Sequence, residues 1–110
     1  MTPIDPLGAI FGSLADPTRR DILRRVAKKM LSVGEIAEHY DMSFAAISKH
    51  LKILEKTKLV TKRRIGKRQV VTLVPAAIKD AADFLQTYEK MWNDRFDSLE
   101  RYLATLPIEE

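Results

Sequence analysis

The sequence predicts a mainly α-helical domain with a two-stranded β wing, in the order α-α-α-α-β-β-α. Apolar residues recur every three or four positions in four segments before residue 57 and in one long segment after residue 75. Between these segments, from Leu59 to Val74, the pattern alternates with a period of two around Gly66, which is typical of an antiparallel hairpin. A chain of 110 residues with 45% hydrophobic and 31% charged residues has the composition of a single globular domain, here residues 1–110.

The first two helices are separated by a helix start signal. Helical spacing of apolar residues predicts the first helix over 7–14. Asp16 is a good N-cap and Pro17 suits the first helical position, so a second helix is expected from there to about Lys29. We expect its inward face to hold Ile22, Leu23, Val26, Ala27 and Met30.

The next segment has the pattern of a helix-turn-helix. Ser32 and Glu35 have the spacing of a capping box, which opens a third helix. After a break at residues 41–43, Ser43 can cap a fourth helix over 43–56. Two short helices joined by about three residues form a helix-turn-helix. The expected inward residues of the two helices are Val33, Ile36, Ala37, Tyr40, Ile47, Leu51 and Leu54.

A basic hairpin and a long helix complete the chain. The hairpin is predicted from strands over 59–65 and 69–74, which form a wing over 59–74. The last helix, over 76–104, would be about 40 Å long, more than a domain this small needs for its own core. Pro107 should end it and leave 108–110 as a frayed tail. Its apolar stripe consists of Ile78, Ala81, Leu85, Tyr88, Trp92, Phe96, Leu99 and Leu103.

Positive charge is concentrated in the middle third of the chain. Residues 43–74 hold nine Lys or Arg and one acid, Glu55, whereas the other residues hold ten Lys or Arg and fourteen Asp or Glu. Such a surface suits a polyanion, most often nucleic acid. The major groove of DNA admits one α-helix, and an adjacent hairpin can reach the neighbouring backbone or minor groove. Helix order, wing and charge together therefore predict a winged helix-turn-helix that binds double-stranded DNA.

The predicted DNA contacts come from the fourth helix and the wing. Ala45, Ser48, Lys49 and Lys52 are candidates to contact base edges, with Lys49 the best candidate for a guanine. Three DNA-binding candidates have an alternative structural role. Ser43 can serve as N-cap. Phe44 can pack on a thymine methyl or cover the helix start, and His50 can bind a phosphate or be a structural helix-surface histidine. The predicted phosphate contacts are Ser43, Lys62, Arg64, Lys67 and Arg68, of which Lys67 or Arg68 can enter a minor groove.

Three segments of the sequence carry a family pattern: Leu14-Ala15-Asp16-Pro17-Thr18-Arg19-Arg20-Asp21-Ile22-Leu23, Ser43-x4-Ser48-Lys49-His50-Leu51-Lys52-x-Leu54, and Gly66-Lys67 in the wing. With these residues the chain resembles the ArsR family of dimeric bacterial repressors, over roughly 7–103. The resemblance implies a winged-helix homodimer, a recognition helix at 43–56, and repression from an inverted-repeat operator.

The sequence departs from the metal sensors of that family. Their Cys-x-Cys positions in the third helix correspond to Ser32 and Gly34, and the chain has no Cys at all. Another family site uses Asp and His on the last helix, which here has no His. We therefore expect no metal site and no cofactor, as in the metal-free branch that the C-terminal segment 92–103 resembles. A small-molecule or protein inducer is left open.

The first and last helices are predicted to form the homodimer, because the stripe on the last helix exceeds the needs of one domain. A twofold dimer places two recognition helices about 34 Å apart, so the operator should be a pseudo-palindrome. The predicted interface residues are Leu7, Ile10, Phe11, Leu85, Tyr88, Trp92, Phe96 and Leu99.

Other classes of function fit the sequence less well. An enzyme is not expected, because the acids lie mostly along helix faces, both His lie in the helix-turn-helix and no glycine-rich phosphate loop is present. The alternative is a winged-helix RNA-binding or protein-interaction module, but the basic third has a single aromatic, Phe44, for base stacking. No apolar run suits a membrane, and the lack of Cys is compatible with the cytoplasm. Repression and activation both remain open from the residues alone.

Overall fold

The computed structural model describes residues 5–107 and confirms a mainly α-helical fold with a β wing. The predicted tail at 108–110 lies outside the described residues. The elements in chain order are α1 (Pro6–Leu14), α2 (Pro17–Lys28), β1 (Leu31–Ser32), α3 (Val33–Ala37), α4 (Phe44–Lys56), β2 (Val60–Ile65), β3 (Arg68–Leu73) and α5 (Pro75–Thr105).

The sheet has one strand more than the sequence predicts. β1 pairs antiparallel with β3 through Leu31 opposite Val71 and Ser32 opposite Val70, which gives the strand order β1-β3-β2. A strand of two residues is too short to show a period of two, so the sequence predicts the two-stranded wing but not β1. Because β3 is the central strand, β1 anchors the wing to the segment that leads into α3.

Side-chain caps start three helices where the sequence placed them. Asp16 accepts a hydrogen bond from the Arg19 backbone N–H at 3.0 Å. Ser32 and Glu35 form both hydrogen bonds of the capping box. Ser43 Oγ accepts from the Ala46 N–H at 3.1 Å and fixes the start of α4. These caps satisfy N–H groups that have no partner within their own helix.

The core lies between α2, α4 and the sheet. Its central side chains have no solvent exposure: Ile22, Ile36, Ile47, Leu51, Leu54, Leu59 and Val71. Two expected members of the α2 face are exposed instead, Ala27 and Met30, the latter by 60%. For Met30 the reason is that α2 ends at Lys28 and Lys29 is extended, with φ −161° and ψ 138°, so Met30 no longer follows the helical face. Ala27 lies within α2 but on its exposed side.

A hydrogen-bonded cluster ties α2 to the turn that follows α3. The Tyr40 hydroxyl donates to Asp21 Oδ2 at 2.5 Å, and Arg24 and Arg25 both pair with the same carboxylate. Hydrogen bonds from Arg24, Tyr40 and Arg25 hold the pKa of Asp21 well below its ordinary range. Burial, followed by the hydrogen bond to ionised Asp21, raises the pKa of Tyr40 to about 12.

α5 projects away from the body of the domain. The molecule measures 73 × 37 × 23 Å, and of this helix only Ala77 and Ala81 are buried. Ile78, the first residue of the predicted apolar stripe, is 36% exposed. No helix within residues 5–107 has both the length and the apolarity to span a membrane.

Candidate DNA-binding surface

α4 presents two different faces. Ile47, Leu51 and Leu54 fix the inner face in the core with no exposure. On the opposite side, Phe44 is 61% exposed at the first position of the helix. The other outward residues named from the sequence are exposed or, for Ser48, half-buried: Ser43, Ala45, Ser48, Lys49 and Lys52. The outer face of the helix is therefore available to a ligand as large as a duplex.

The wing turns tightly at its tip. Gly66 has φ 64°, a left-handed conformation that a glycine adopts without steric cost. Arg64 Nε donates to the Gly66 carbonyl at 3.3 Å across this turn. Arg64, Lys67 and Arg68 are all exposed, which places several cations at the end of the hairpin.

A groove of about 520 Å³ separates α4 from the wing. Its floor and walls are formed by Val33, Phe44, Ser48, Glu55, Lys62 and Gln69. Lys62 Nζ lies 3.3 Å from Glu55 Oε2, so this predicted phosphate contact already has an intramolecular partner. Glu55 and Gln69 were not among the predicted site residues. The signal for Glu55 was present, since it is the sole acid in the basic third of the sequence.

Arg68 also has a carboxylate partner. Its guanidinium pairs with Glu35, the capping-box acid at the start of α3. The pKa of Glu35 is lowered, chiefly by hydrogen bonds from the backbone and side chain of Ser32 and also by the nearby charges of Arg68 and Lys29. The tip of the wing and the start of α3 therefore form one charged surface.

His50 is directed towards the protein interior and away from the exposed face of α4. Its Nδ1 lies 3.3 Å from Arg19 Nη1 and 3.9 Å from Asp16 Oδ1, and its side chain is 17% exposed. Arg19 also donates to the carbonyl of Ser13 at 2.8 Å and to that of Gly12 at 3.2 Å. Of the two roles open for His50, this geometry favours the structural one.

The predicted dimer residues fall into two groups. Ile10 is only 6% exposed and packs in the core of the protomer, which leaves little of its side chain for a partner to contact. Phe11 and Leu7 are half-buried, and the Phe11 ring packs on Phe84 with centroids 5.7 Å apart. The α5 residues are each 45–59% exposed: Leu85, Tyr88, Trp92, Phe96 and Leu99.

Across residues 5–107, no three of the His, Asp and Glu side chains form a group that could hold a metal ion. Ser32, at one of the two family metal positions, serves as the N-cap of α3.

Known proteins share both the sequence pattern and the fold. The model of a family described as "Bacterial regulatory protein, arsR family" matches residues 16–62. The HTH-type transcriptional regulator Rv2034 of Mycobacterium tuberculosis is 44% identical over 66 residues, which are 60% of this chain and 62% of that protein. The transcriptional repressor SdpR of Bacillus subtilis is 30% identical over 79 residues, which are 72% of this chain and 88% of the repressor.

A solved structure supports the same assignment. An ArsR-like transcriptional regulator from Rhodococcus sp. RHA1 superposes with a TM-score of 0.75 at 25% identity, over 92% of this chain and 95% of that one. These matches confirm the resemblance found in the sequence and the expectation of a regulator in place of an enzyme. The chain belongs to the ArsR family of bacterial regulatory proteins and is a DNA-binding transcriptional regulator of the winged helix-turn-helix type.

Proposed function

We propose that the protein is a homodimeric repressor that binds a pseudo-palindromic operator, with α4 in the major groove and the wing beside it. One observation carries this proposal: the inner face of α4 is fully buried, while its outer face stays open and borders the cationic wing across the groove. A rigidly held helix with a free face is what major-groove docking requires.

The contacts to DNA follow from this docking. Lys49 and Lys52, which are exposed on α4, would meet base edges together with Ala45 and Ser48. The start of α4, capped by Ser43, offers the positive end of a 13-residue helix dipole to a phosphate. Further phosphate contacts are assigned to the wing residues Lys62, Arg64, Lys67 and Arg68. Lys62 and Arg68 would then share their charge between a phosphate and their present carboxylate partners.

The partner that covers α5 is a second copy of the chain. The Cα radius of gyration is 20.4 Å, whereas a compact domain of this length has about 13 Å, and the excess comes from the projecting helix. A stripe of half-exposed aromatic and aliphatic residues along such a helix is an interaction surface. Leu7 and Phe11 of α1 lie beside it and would extend the interface, supported from beneath by Ile10.

Mass measurement tests the dimer. Light scattering should give twice the chain mass of 12.6 kDa at micromolar concentration. Trp92→Glu places a charge in the proposed interface at an exposed position, so it should leave the fold intact and shift the mass towards the monomer. Gln86→Glu adds the same charge to an exposed residue of the same helix outside the stripe and serves as the control. A wild-type mass near 12.6 kDa would reject the dimer.

Repression is the direction of regulation that we assign, because SdpR, a relative in this family, is named a transcriptional repressor. The protein would act in the cytoplasm, where operator DNA is accessible, and an inducer, either a small molecule or a protein, would release it. Transcription in vitro from a promoter that overlaps the bound operator should fall as protein is added. A rise in transcript would assign activation instead.

A further inference from the structure

A second group of cations lies outside the surface assigned to DNA so far. Arg24, Arg25, Lys28 and Lys29, here called the α2 basic cluster, line a concavity of about 210 Å³ together with Leu31. The cluster lies at the carboxyl end of α2, before β1. Neither the recognition helix nor the wing contributes to it, and the dimer stripe on α5 does not include it.

Stabilisation of the carboxyl end of α2 does not account for four cations at this position. One or two positive side chains near a helix carboxyl end are favourable, because they face the negative end of the dipole. However, Arg24 and Lys28 are spaced four positions apart on α2, where like charges repel. Repulsion between neighbours in a concavity is relieved when an anion binds among them.

Internal acids neutralise only part of this charge. Asp21 pairs with both Arg24 and Arg25, and Arg25 also stacks 5.6 Å from the centroid of the Tyr40 ring. Within the part of the chain that the structure describes, Lys28 and Lys29 form no ion pair. The two lysines are therefore the members of the α2 basic cluster that are free to bind an external anion.

The α2 basic cluster adjoins the wing surface. Leu31 begins β1, and β1 is hydrogen-bonded to β3, the strand that starts at Arg68. The positive charge of Lys29 is among the causes that lower the pKa of Glu35, and Glu35 in turn pairs with Arg68. A path of charged groups thus runs from the wing, across the start of α3, to the end of α2.

We propose that the α2 basic cluster binds backbone phosphates of the duplex that flanks the operator half-site. This inference rests on the proposed function, because it needs α4 docked in the major groove first. The contacts would be independent of sequence, since Lys and Arg recognise phosphate as a charge. They would lengthen the stretch of DNA that each protomer holds beyond the bases it contacts.

Binding to duplexes of two different lengths distinguishes the contribution of the α2 basic cluster from that of α4 and the wing. Operators obtained by selection are prepared as the core alone and with about one helical turn of added flank on each side. Wild-type protein should bind the longer duplex several-fold more tightly. The double variant Lys28→Gln/Lys29→Gln should lose that gain, retain its affinity for the core, and lower the salt slope on the longer duplex by about 0.9 for each contact removed.

Matched controls give each outcome a meaning. Lys79→Gln/Lys90→Gln makes the same charge change on exposed positions of α5 and should keep the gain from the flanks. The inference is overturned if wild type binds both duplex lengths with equal affinity. It is also overturned if the lysine double variant loses as much affinity for the core duplex as for the longer one. A third outcome assigns the cluster to a small anionic ligand and overturns the inference. In this outcome inorganic phosphate binds wild type but not the variant, and flanking DNA does not change the affinity for the duplex. Failure of wild type to bind any core would instead count against the proposed function.

Discussion

The guanidinium of Arg19 joins the end of α1 to His50 of α4, with Nη1 of Arg19 3.3 Å from Nδ1 of His50. The same side chain donates to the carbonyls of Gly12 and Ser13. A second link lies about two turns further along, at the C-cap of α4, where Ser13 Oγ donates to Thr57 Oγ1 at 3.0 Å. The helix that we place at the dimer interface is therefore tied directly to the helix that we place in the major groove.

Removing the Arg19 guanidinium should weaken this connection. Arg19→Gln cannot reach both carbonyls and His50, so we expect the free energy of unfolding to fall by about 2 kcal/mol, as is typical for hydrogen bonds to a charged group. Urea unfolding followed by circular dichroism measures this change. Lys90→Gln, which removes an exposed cation from α5, should leave the midpoint where it is. Unchanged stability in Arg19→Gln would show that the network contributes nothing.

The hydrogen bond between Tyr40 and Asp21 should raise the free energy of unfolding of wild type above that of Tyr40→Phe, and this difference should shrink at alkaline pH. The pKa of Tyr40 is raised from 10.0 to about 12 in the folded protein, so folding favours the neutral phenol. The stabilisation is fully present below pH 10 and is lost as the pH rises towards 12. We expect wild type to exceed Tyr40→Phe by about 1 kcal/mol at neutral pH, with the gap closing across this interval. Urea unfolding of both proteins at several pH values tests this, and a gap that does not change with pH would contradict it.

Glu55 should restrain binding to DNA. It is the acid of the groove and holds Lys62 at 3.3 Å, so Glu55→Gln removes a repulsion from phosphates and frees a cation. Affinity should rise several-fold for all duplexes alike, with a steeper dependence on salt. Glu100→Gln, the same change on exposed α5, is the control for net charge. A fall in affinity with an altered base preference would instead assign Glu55 to base contact.

Substitutions of Lys49 and Lys67 should weaken DNA binding in different ways. Lys49→Ala should cost about 1–3 kcal/mol at the preferred sequence and relax the preference for one base pair. Lys67→Ala should weaken binding to all sequences equally and lower the salt slope by about 0.9 for each contact removed. Fluorescence anisotropy on a set of single-base operator variants separates the two. An intact preference profile in Lys49→Ala would remove this residue from the base contacts.

Local signals in the sequence were sufficient for much of the fold. The capping residues Asp16, Ser32 and Ser43 predict helix starts, because a side-chain oxygen at the N-cap can accept a hydrogen bond from a backbone N–H two or three residues later. All three side chains form that hydrogen bond in the structure. The alternating pattern around Gly66 likewise identified the hairpin, whose register pairs Ile65 with Arg68.

What the sequence missed depends on tertiary contacts. β1 has two residues and owes its existence to pairing with β3, which no local pattern records. Met30 fits a helical face in the sequence but follows an extended Lys29 and turns outward. The apolar spacing of α1 does not show whether Ile10 faces the protomer core or a partner chain, and in the structure Ile10 packs in the core. The partners of Lys62, Arg68 and His50 lie on other elements, so their contacts were also hidden.

Sequencing of random duplexes selected by the purified protein tests the central claim most directly. A recognition helix and wing that are doubled by a twofold axis should enrich pseudo-palindromes whose half-site centres lie about one turn, or ~34 Å, apart. Enrichment of a single unrepeated motif, or no enrichment over the input duplexes, would contradict the account.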